Sequence, residues 1–259
     1  MKHLEGGCTL KQPQVLIFTM FMVTSLPFSF KYLPPPGNPH DSHQVFSILQ
    51  WNCYHLNDLK YSELSSLVSQ YNPSVIALNE VCAVGSIPKV PAISGYHKPM
   101  MLRPKNAKGI AIFVQKGLLW NKFHLHLKES AGAYAQAIDI FLNDRVLTVV
   151  NVYVNPSTKV SRRRSFWANL MECLDTKEHF CIVGDINDPC NILSASNQGT
   201  SKILEDLLVH HNLTVLNDGS PTRIASLEDE FTLSALDVSI VSPALRTSKE
   251  LENSALPRI

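Results

Sequence analysis

"AYAQAIDIFLNDRVLTVVNVYV", residues 133–154, decides the fold. Two apolar runs rich in β-branched residues flank Asn143-Asp144, a pair that favours a tight turn. Strands joined so closely pair antiparallel, because a parallel neighbour needs a crossover of a dozen or more residues. A doubly wound parallel sheet is therefore disfavoured. Upstream, "IAIFVQ" (110–115) and the alternating "FHLHLK" (123–128) predict two further strands. Before them, "VFSILQW" (45–51) and "SVIALNE" (74–80) bracket "LKYSELSSLVSQY" (59–71), where Leu64, Leu67 and Val68 recur at helical spacing. Downstream, a helix over 162–174 leads to the strand "FCIVGD" (180–185), the helix "SKILEDLLVHH" (201–211), and the strands "LTVLND" (213–218) and "DVSIVS" (237–242). Two sheets with helices outside them accommodate this order.

The composition bounds the function. The chain has 259 residues, 45% hydrophobic and 17% charged, enough for one large core. Lys and Arg number 23 against 22 Asp and Glu, so the net charge of +1 sets up no global field for nucleic acid, and any such contact must be a local patch. The six cysteines, Cys8, Cys53, Cys82, Cys173, Cys181 and Cys190, include no C-x-x-C pair. That argues against a zinc site or a dense disulfide framework and favours a reduced compartment, nuclear or cytoplasmic.

The N-terminus points both ways. "VLIFTMFMVTSL" (15–26) follows Lys2, His3 and Lys11 in the layout of a signal peptide, yet Pro27 interrupts it and no small-x-small cleavage site follows. It is too short to span a bilayer. A loosely packed or spurious extension is the favoured reading, with secretion as the alternative. "YLPPPGNPHDSH" (32–43) then forms a stiff linker. Residues 1–43 are thus expected to be an apolar segment plus linker, and 44–259 the domain proper.

Several strands carry polar residues of one kind at or near their ends: Trp51-Asn52, Asn79-Glu80, Asn151-x-Tyr153 and Asp185-Ile186-Asn187. Taken singly, each has a plain explanation as a turn amide, a first solvated residue, a wet-tipped core aromatic or an Asx turn. Their convergence on neighbouring strands favours a site. Phosphodiester hydrolysis needs such a set: a carboxylate for a hard divalent cation, a second acid to handle a water proton, and neutral donors for phosphoryl oxygens.

The segments "ILQWNCYHL", "PSVIALNEVC", "KGIAIFVQKGL", "VVNVYVNPS", "CIVGDIND", "LNDGSPTRI" and "LSALDVSIVSPAL" stand in the order and spacing of the endonuclease/exonuclease/phosphatase superfamily. From Val45 to Leu245 the chain most resembles the apurinic-endonuclease-type domain of LINE-type non-LTR retrotransposons. "LNDGSPTR" together with the S-x-x-D pair, Ser234 and Asp237, favours this branch over the sphingomyelinase and inositol-phosphatase branches. The resemblance implies a four-layer α/β/β/α sandwich of two mostly antiparallel, mixed sheets. It also implies DNA as the partner, with no obligate protein partner. Glu80 would hold Mg²⁺, or Mn²⁺ in its place, with Asn52 beside it. Tyr153 would bond the scissile phosphate, and Asp185 would move the proton of the attacking water or of the leaving oxygen. Asn187 would position the phosphate, Asp237 would hold a catalytic histidine, and Thr222 and Ser234 would line the DNA cleft.

Two departures bear on activity. After "GDIN" the family continues Ala-His-His, whereas this chain reads "DPCN". The family also closes on a Ser-Asp-His strand, whereas this chain ends "KELENSALPRI", and all ten histidines lie at or before His211. The domain is therefore expected to be C-terminally incomplete, to lack the final strand, and to be a poor or inactive enzyme. The alternatives are a DNA-binding remnant that does not cut, or a secreted nuclease or phosphodiesterase of the same superfamily.

Basic residues offer two candidate phosphate contacts, Arg103 with Lys105 and Lys108 in one loop, and the run Arg162 to Arg164 at a helix start, although most such runs are solvated faces. His124 and His126 have no third ligand at matching spacing and read as surface residues. The sequon at Asn212 matters only in a secreted chain.

Overall fold

The computed structural model describes residues 19–22, 46–83, 90–127, 132–142, 145–187, 202–217, 223–227, 230–234 and 237–245. Thirteen strands and three α-helices are described: β1 (Thr19–Met22), β2 (Ser47–Asn52), α1 (Asp58–Tyr71), β3 (Val75–Asn79), β4 (Met100–Leu102), β5 (Ile110–Val114), β6 (Leu119–Phe123), β7 (Ala133–Leu142), β8 (Arg145–Val154), α2 (Val160–Leu174), β9 (Phe180–Asp185), α3 (Lys202–His210), β10 (Thr214–Val215), β11 (Arg223–Leu227), β12 (Glu230–Ser234) and β13 (Asp237–Val241). One sheet runs β1-β2-β3-β5-β4 and the other β10-β13-β9-β8-β7-β6, with β11 and β12 as a separate hairpin.

The strand period of two explains why the sheets stack. In β2, Ile48 faces the second sheet while Leu49 and Trp51 face α1; in β3, Val75 and Ala77 face inward while Ile76 and Leu78 face α1. On the second sheet, Val149 of β8 with Cys181 and Val183 of β9 fill the space between the sheets, and Val150, Val152 and Ile182 pack on Phe166, Trp167 and Leu170 of α2 and on Leu204 of α3. The result is helix, sheet, sheet, helix, as the motif resemblance implies.

The helices start and stop for local reasons. Asn57 caps α1 by accepting the Lys60 amide at 3.0 Å, Asp58 favours the positive end of the helix, and Asn72 closes it at φ +46°. Leu64 and Val68, four apart, are its buried residues. No described helix is long and apolar enough to cross a membrane.

Most pairs are antiparallel, with β2–β3 and β8–β9 parallel. The 133–154 hairpin pairs from Ala133↔Val154 to Leu142↔Arg145. "FHLHLK" departs from expectation. Its strand, β6, is Leu119–Phe123, which pairs with Ala137–Phe141 and stops before His124, so His124 and His126 sit exposed outside any strand. The short β4, the β11–β12 hairpin, and β1 from the N-terminal apolar run were not legible from periodicity; β1 pairs antiparallel with Ser47–Gln50. Residues 246–259, which the expected lack of a final strand concerns, lie outside the described residues.

Candidate active site

Going along each central strand toward one end of the sandwich, the residues facing between the sheets change from aliphatic to polar. In β2 the inward series is Ile48, Gln50, Asn52; in β3 it is Val75, Ala77, Asn79; in β8, Val149, Asn151, Tyr153; in β9, Cys181, Val183, Asp185; in β13, read backwards, Val241, Ser239, Asp237. Register then aligns them. Tyr134, Tyr153, Asp185 and Asp237 form one row across β7, β8, β9 and β13, while Asn52 and Asn79 are paired on the opposite sheet.

Amides lie beneath this row. Asn79 Nδ2 donates to Asn151 Oδ1 at 3.0 Å and to the Val152 carbonyl at 2.9 Å, and Asn151 Nδ2 returns bonds to the carbonyls of Leu78 (3.1 Å) and Ala111 (3.2 Å). Both side chains are fully buried, so these bonds offset the cost of removing amides from water and lock the sheets in one register. Gln50 Nε2 bonds Asn79 Oδ1 at 3.1 Å and Asp237 Oδ1 at 2.8 Å.

Above the amides sit the acids. Asn52 Nδ2 donates to Asp185 Oδ2 at 2.6 Å, and the Asn187 amide donates to Asp185 Oδ1 at 2.9 Å. Asn52 Oδ1 is bonded too, by the Tyr54 amide at 3.0 Å. Burial, and then the neighbouring Asp237 carboxylate, push the Asp185 carboxyl up to about 8, against the opposing pull of its two donors. Burial, with its bond to Glu80, likewise holds the Tyr153 phenol far above its ordinary value, so it is a hydroxyl donor at any physiological pH.

Glu80 follows β3 with φ +54°, a left-handed conformation that costs a non-glycine residue about 1–2 kcal/mol. Its backbone is held from both sides: the Glu80 carbonyl accepts the His55 amide at 2.6 Å, and Val81 N–H reaches the Gly109 carbonyl at 3.2 Å. The twist turns the carboxylate into the row, where Tyr153 OH donates to Oε1 at 2.6 Å and Lys108 Nζ bonds Oε2. Lys108 also lies 3.8 Å from the centre of the Tyr54 ring.

The structure therefore brings together Asn52, Glu80, Tyr153, Asp185 and Asp237, with Asn187 holding Asp185 by its backbone while its side chain donates to the Val154 carbonyl at 3.1 Å. Asp237 faces Gln50, a partner not anticipated for it. Thr222 lies outside the described residues, and Ser234 ends β12, with its backbone opposite Arg223. Gln50 and Tyr134, whose signal was the inward period of β2 and β7, are the members that the sequence did not place here, while Lys108, read there as a candidate phosphate contact, reaches Glu80 from the approach to β5.

The basic candidates separate. Arg163 is buried and spans the carbonyls of Thr158 (3.0 Å), Pro156 (2.8 Å) and Asn187 (3.1 Å), tying the turn after β8 to the end of β9, while Arg162 and Arg164 are exposed. Arg103 closes its own loop on the Ala107 carbonyl (3.1 Å) and ties it to the segment after β3 through the Ala83 carbonyl (3.0 Å).

The donor chemistry fits a hard cation. Among the described residues no three His, Cys, Asp or Glu are placed so as to hold one metal ion, which disfavours zinc. One carboxylate, from Glu80, and one amide oxygen, from Asn52, make the sparse oxygen set that Mg²⁺ takes when water and phosphate complete its shell. Both Glu80 oxygens already accept a hydrogen bond, so a cation that binds there competes with Tyr153 and Lys108 for the carboxylate.

Comparison with known proteins agrees with this architecture. The family model described as endonuclease-reverse transcriptase matches residues 147–256, which include Tyr153, Asp185, Asn187 and Asp237. The endonuclease domain of TRAS1, a telomere-specific non-LTR retrotransposon, superposes with a TM-score of 0.59 at 16% identity, covering 76% of this chain and 85% of that one. The 3′ phosphatase NExo from Neisseria, bound to a product DNA hairpin, gives 0.55 at 20% identity over 82% of this chain and 94% of that one. D. rerio TDP2 complexed with a single-strand DNA product gives 0.53 at 11% identity over 76% and 83%. No curated protein sequence matches the chain. The chain has the endonuclease/exonuclease/phosphatase fold, and over residues 147–256 it is similar to the endonuclease–reverse transcriptase family, as the motifs imply.

Proposed function

We propose that this chain hydrolyses phosphodiester bonds in DNA as an endonuclease of the non-LTR retrotransposon type, nicking one strand and leaving a 3′ hydroxyl. The observation that carries the reading is the register row of Tyr153, Asp185 and Asp237 meeting Asn52 and Glu80 from the opposite sheet.

Glu80 and Asn52 would hold Mg²⁺ or Mn²⁺, and the bound cation would supply positive charge to a phosphoryl oxygen as bonding changes at phosphorus. Asp185 is the proton carrier for the attacking water or the leaving oxygen. A carboxyl raised to about 8 exchanges protons near neutral pH, which suits either task. Asp237 tunes it by charge, and Asn52 and Asn187 fix its orientation. Tyr153, a buried hydroxyl donor, passes its hydrogen bond from Glu80 to a non-bridging phosphate oxygen, and the Asn187 segment positions the same phosphate. Thr222 and Ser234 are proposed to line the cleft.

Nicking of supercoiled plasmid with Mg²⁺ tests this. Slow nicking is expected of the wild-type chain, in keeping with the poor activity expected from its sequence, and Glu80→Gln is expected to lose it; equal activity in both would remove Glu80 from the mechanism. A second reading, DNA binding without cutting, is favoured by the engagement of both Glu80 oxygens. It is recognised by salt-dependent affinity with no nicking at any cation concentration.

A further inference from the structure

We infer that Lys108 is the resting counter-cation of Glu80, an ammonium that competes with a divalent ion for the same carboxylate, and that it thereby sets the cation affinity of the site. The inference rests on the reading of Glu80 as the cation ligand.

Three observations carry it. Lys108 Nζ bonds Glu80 Oε2, and Tyr153 OH bonds Oε1, so each oxygen of the acidic side chain already has a donor with which a metal must compete. Of the two, Tyr153 is locked in β8 and only 5% exposed. Lys108 reaches in from the approach to β5, and its side chain remains 27% exposed beside a Glu80 side chain at 8%. The flexible partner is therefore the one that can leave. Second, the charge balance is local. With Lys108 in place the Glu80 carboxylate is neutralised in a region where a bare buried charge is costly, so the ion pair stabilises the cation-free fold and opposes metal entry by the same interaction. Third, the ammonium has a second partner that does not depend on Glu80: the Tyr54 ring already lies 3.8 Å from Nζ, and Tyr54 is 59% exposed in a loop whose backbone is fixed by the Asn52 side chain and by Lys60 Nζ on the Cys53 carbonyl at 2.5 Å. A cation over an aromatic face is favourable even at the surface. On displacement Lys108 stays beside the cleft as a positive charge free to meet a phosphate.

The experiment is calorimetric titration of Mn²⁺ into the full chain without DNA, for wild type, Lys108→Met, Lys108→Arg and Glu80→Gln, with thermal denaturation in parallel. Lys108→Met is expected to bind Mn²⁺ about tenfold tighter than wild type, as loss of one competing charge of modest strength implies, and to melt lower without cation but not at saturating cation. Lys108→Arg should remain near wild type, and Glu80→Gln should not bind. Where Lys108→Met does not fold, Lys108→Gln takes its place. Equal or weaker binding by the neutral variant, with binding still dependent on Glu80, overturns the role of Lys108 and leaves the Glu80 cation site standing. Absence of Glu80-dependent binding in every protein overturns both.

Discussion

Asn52 and Asp185 join the two sheets by one hydrogen bond of 2.6 Å, from the last residue of β2 to the last of β9. Because Asn52 Oδ1 also receives the Tyr54 amide, this single amide couples the loop beside Glu80 to Asp185 on the other sheet. Asn52→Ala is expected to lower nicking about 100-fold, the usual effect of losing one oriented donor at a reacting centre, and to cost about 1–2 kcal/mol of stability. Plasmid nicking and urea denaturation measure the two effects, and unchanged nicking would exclude Asn52 from orienting Asp185.

Asp185 makes stability depend on pH in a defined direction. Its carboxyl is raised in the fold from an ordinary 3.8 to about 8, so between these values the folded state holds a proton that the unfolded chain has released. The associated stability is complete below about pH 4, declines as pH rises, and is gone above about pH 8. Asp185→Asn is expected to flatten that decline and to raise the melting temperature at pH 8.5, while abolishing nicking. Melting curves from pH 5 to 8.5 check it; a wild-type protein whose stability rises across this range would show that Asp185 is ionised throughout.

Arg163 and its neighbours should separate structure from DNA contact. Arg163→Ala removes a buried guanidinium from several carbonyls, including that of Asn187, and is expected to cost about 3 kcal/mol or more. The double variant Arg162→Ala/Arg164→Ala should change stability by no more than about 0.5 kcal/mol. It should also lower the salt slope of DNA binding, if that face meets phosphate. Denaturation and binding at two salt concentrations distinguish the two behaviours.

Gly184 permits the close approach of β9 to β8 next to Asp185. It has φ +141°, and a Cβ there would stand 2.0 Å from the Val152 carbonyl oxygen. Backbone on the adjacent strand cannot yield as a flexible side chain could. Gly184→Ala is therefore expected to destabilise by about 3 kcal/mol or more and to disrupt the Tyr153↔Asp185 register. A soluble variant with wild-type melting temperature would show that β8 shifts freely at this point.

The legible part of the fold was the part carried by local chemistry. Asn143-Asp144 between two β-branched runs foretold the β7–β8 pairing, and Leu64 with Val68 foretold α1, because turns and amphipathic periods act over a few residues. "FHLHLK" misled for the same reason, since its alternation imitates a strand while the ladder with β7 is exhausted at Phe123. The two-residue β10 and three-residue β4 are strands only because a neighbour lends them its hydrogen bonds.

By itself the sequence determined which residues could do the chemistry: Asn52, Glu80, Tyr153, Asp185 and Asp237 are of the right types, on strands whose order and resemblance implied a shared place. Residue types are readable one segment at a time, and the shared place is what the motif resemblance implied. Only the tertiary structure decided how each residue is used. Asp185 is shifted by burial and then by an acid from β13, Asp237 is met by Gln50 from the opposite sheet, Arg163 is drawn inward while Arg162 and Arg164 stay exposed, and Lys108 is set on Glu80. Those outcomes depend on burial and on charges brought within a few ångströms from distant parts of the chain, and no local pattern encodes a distance across two sheets.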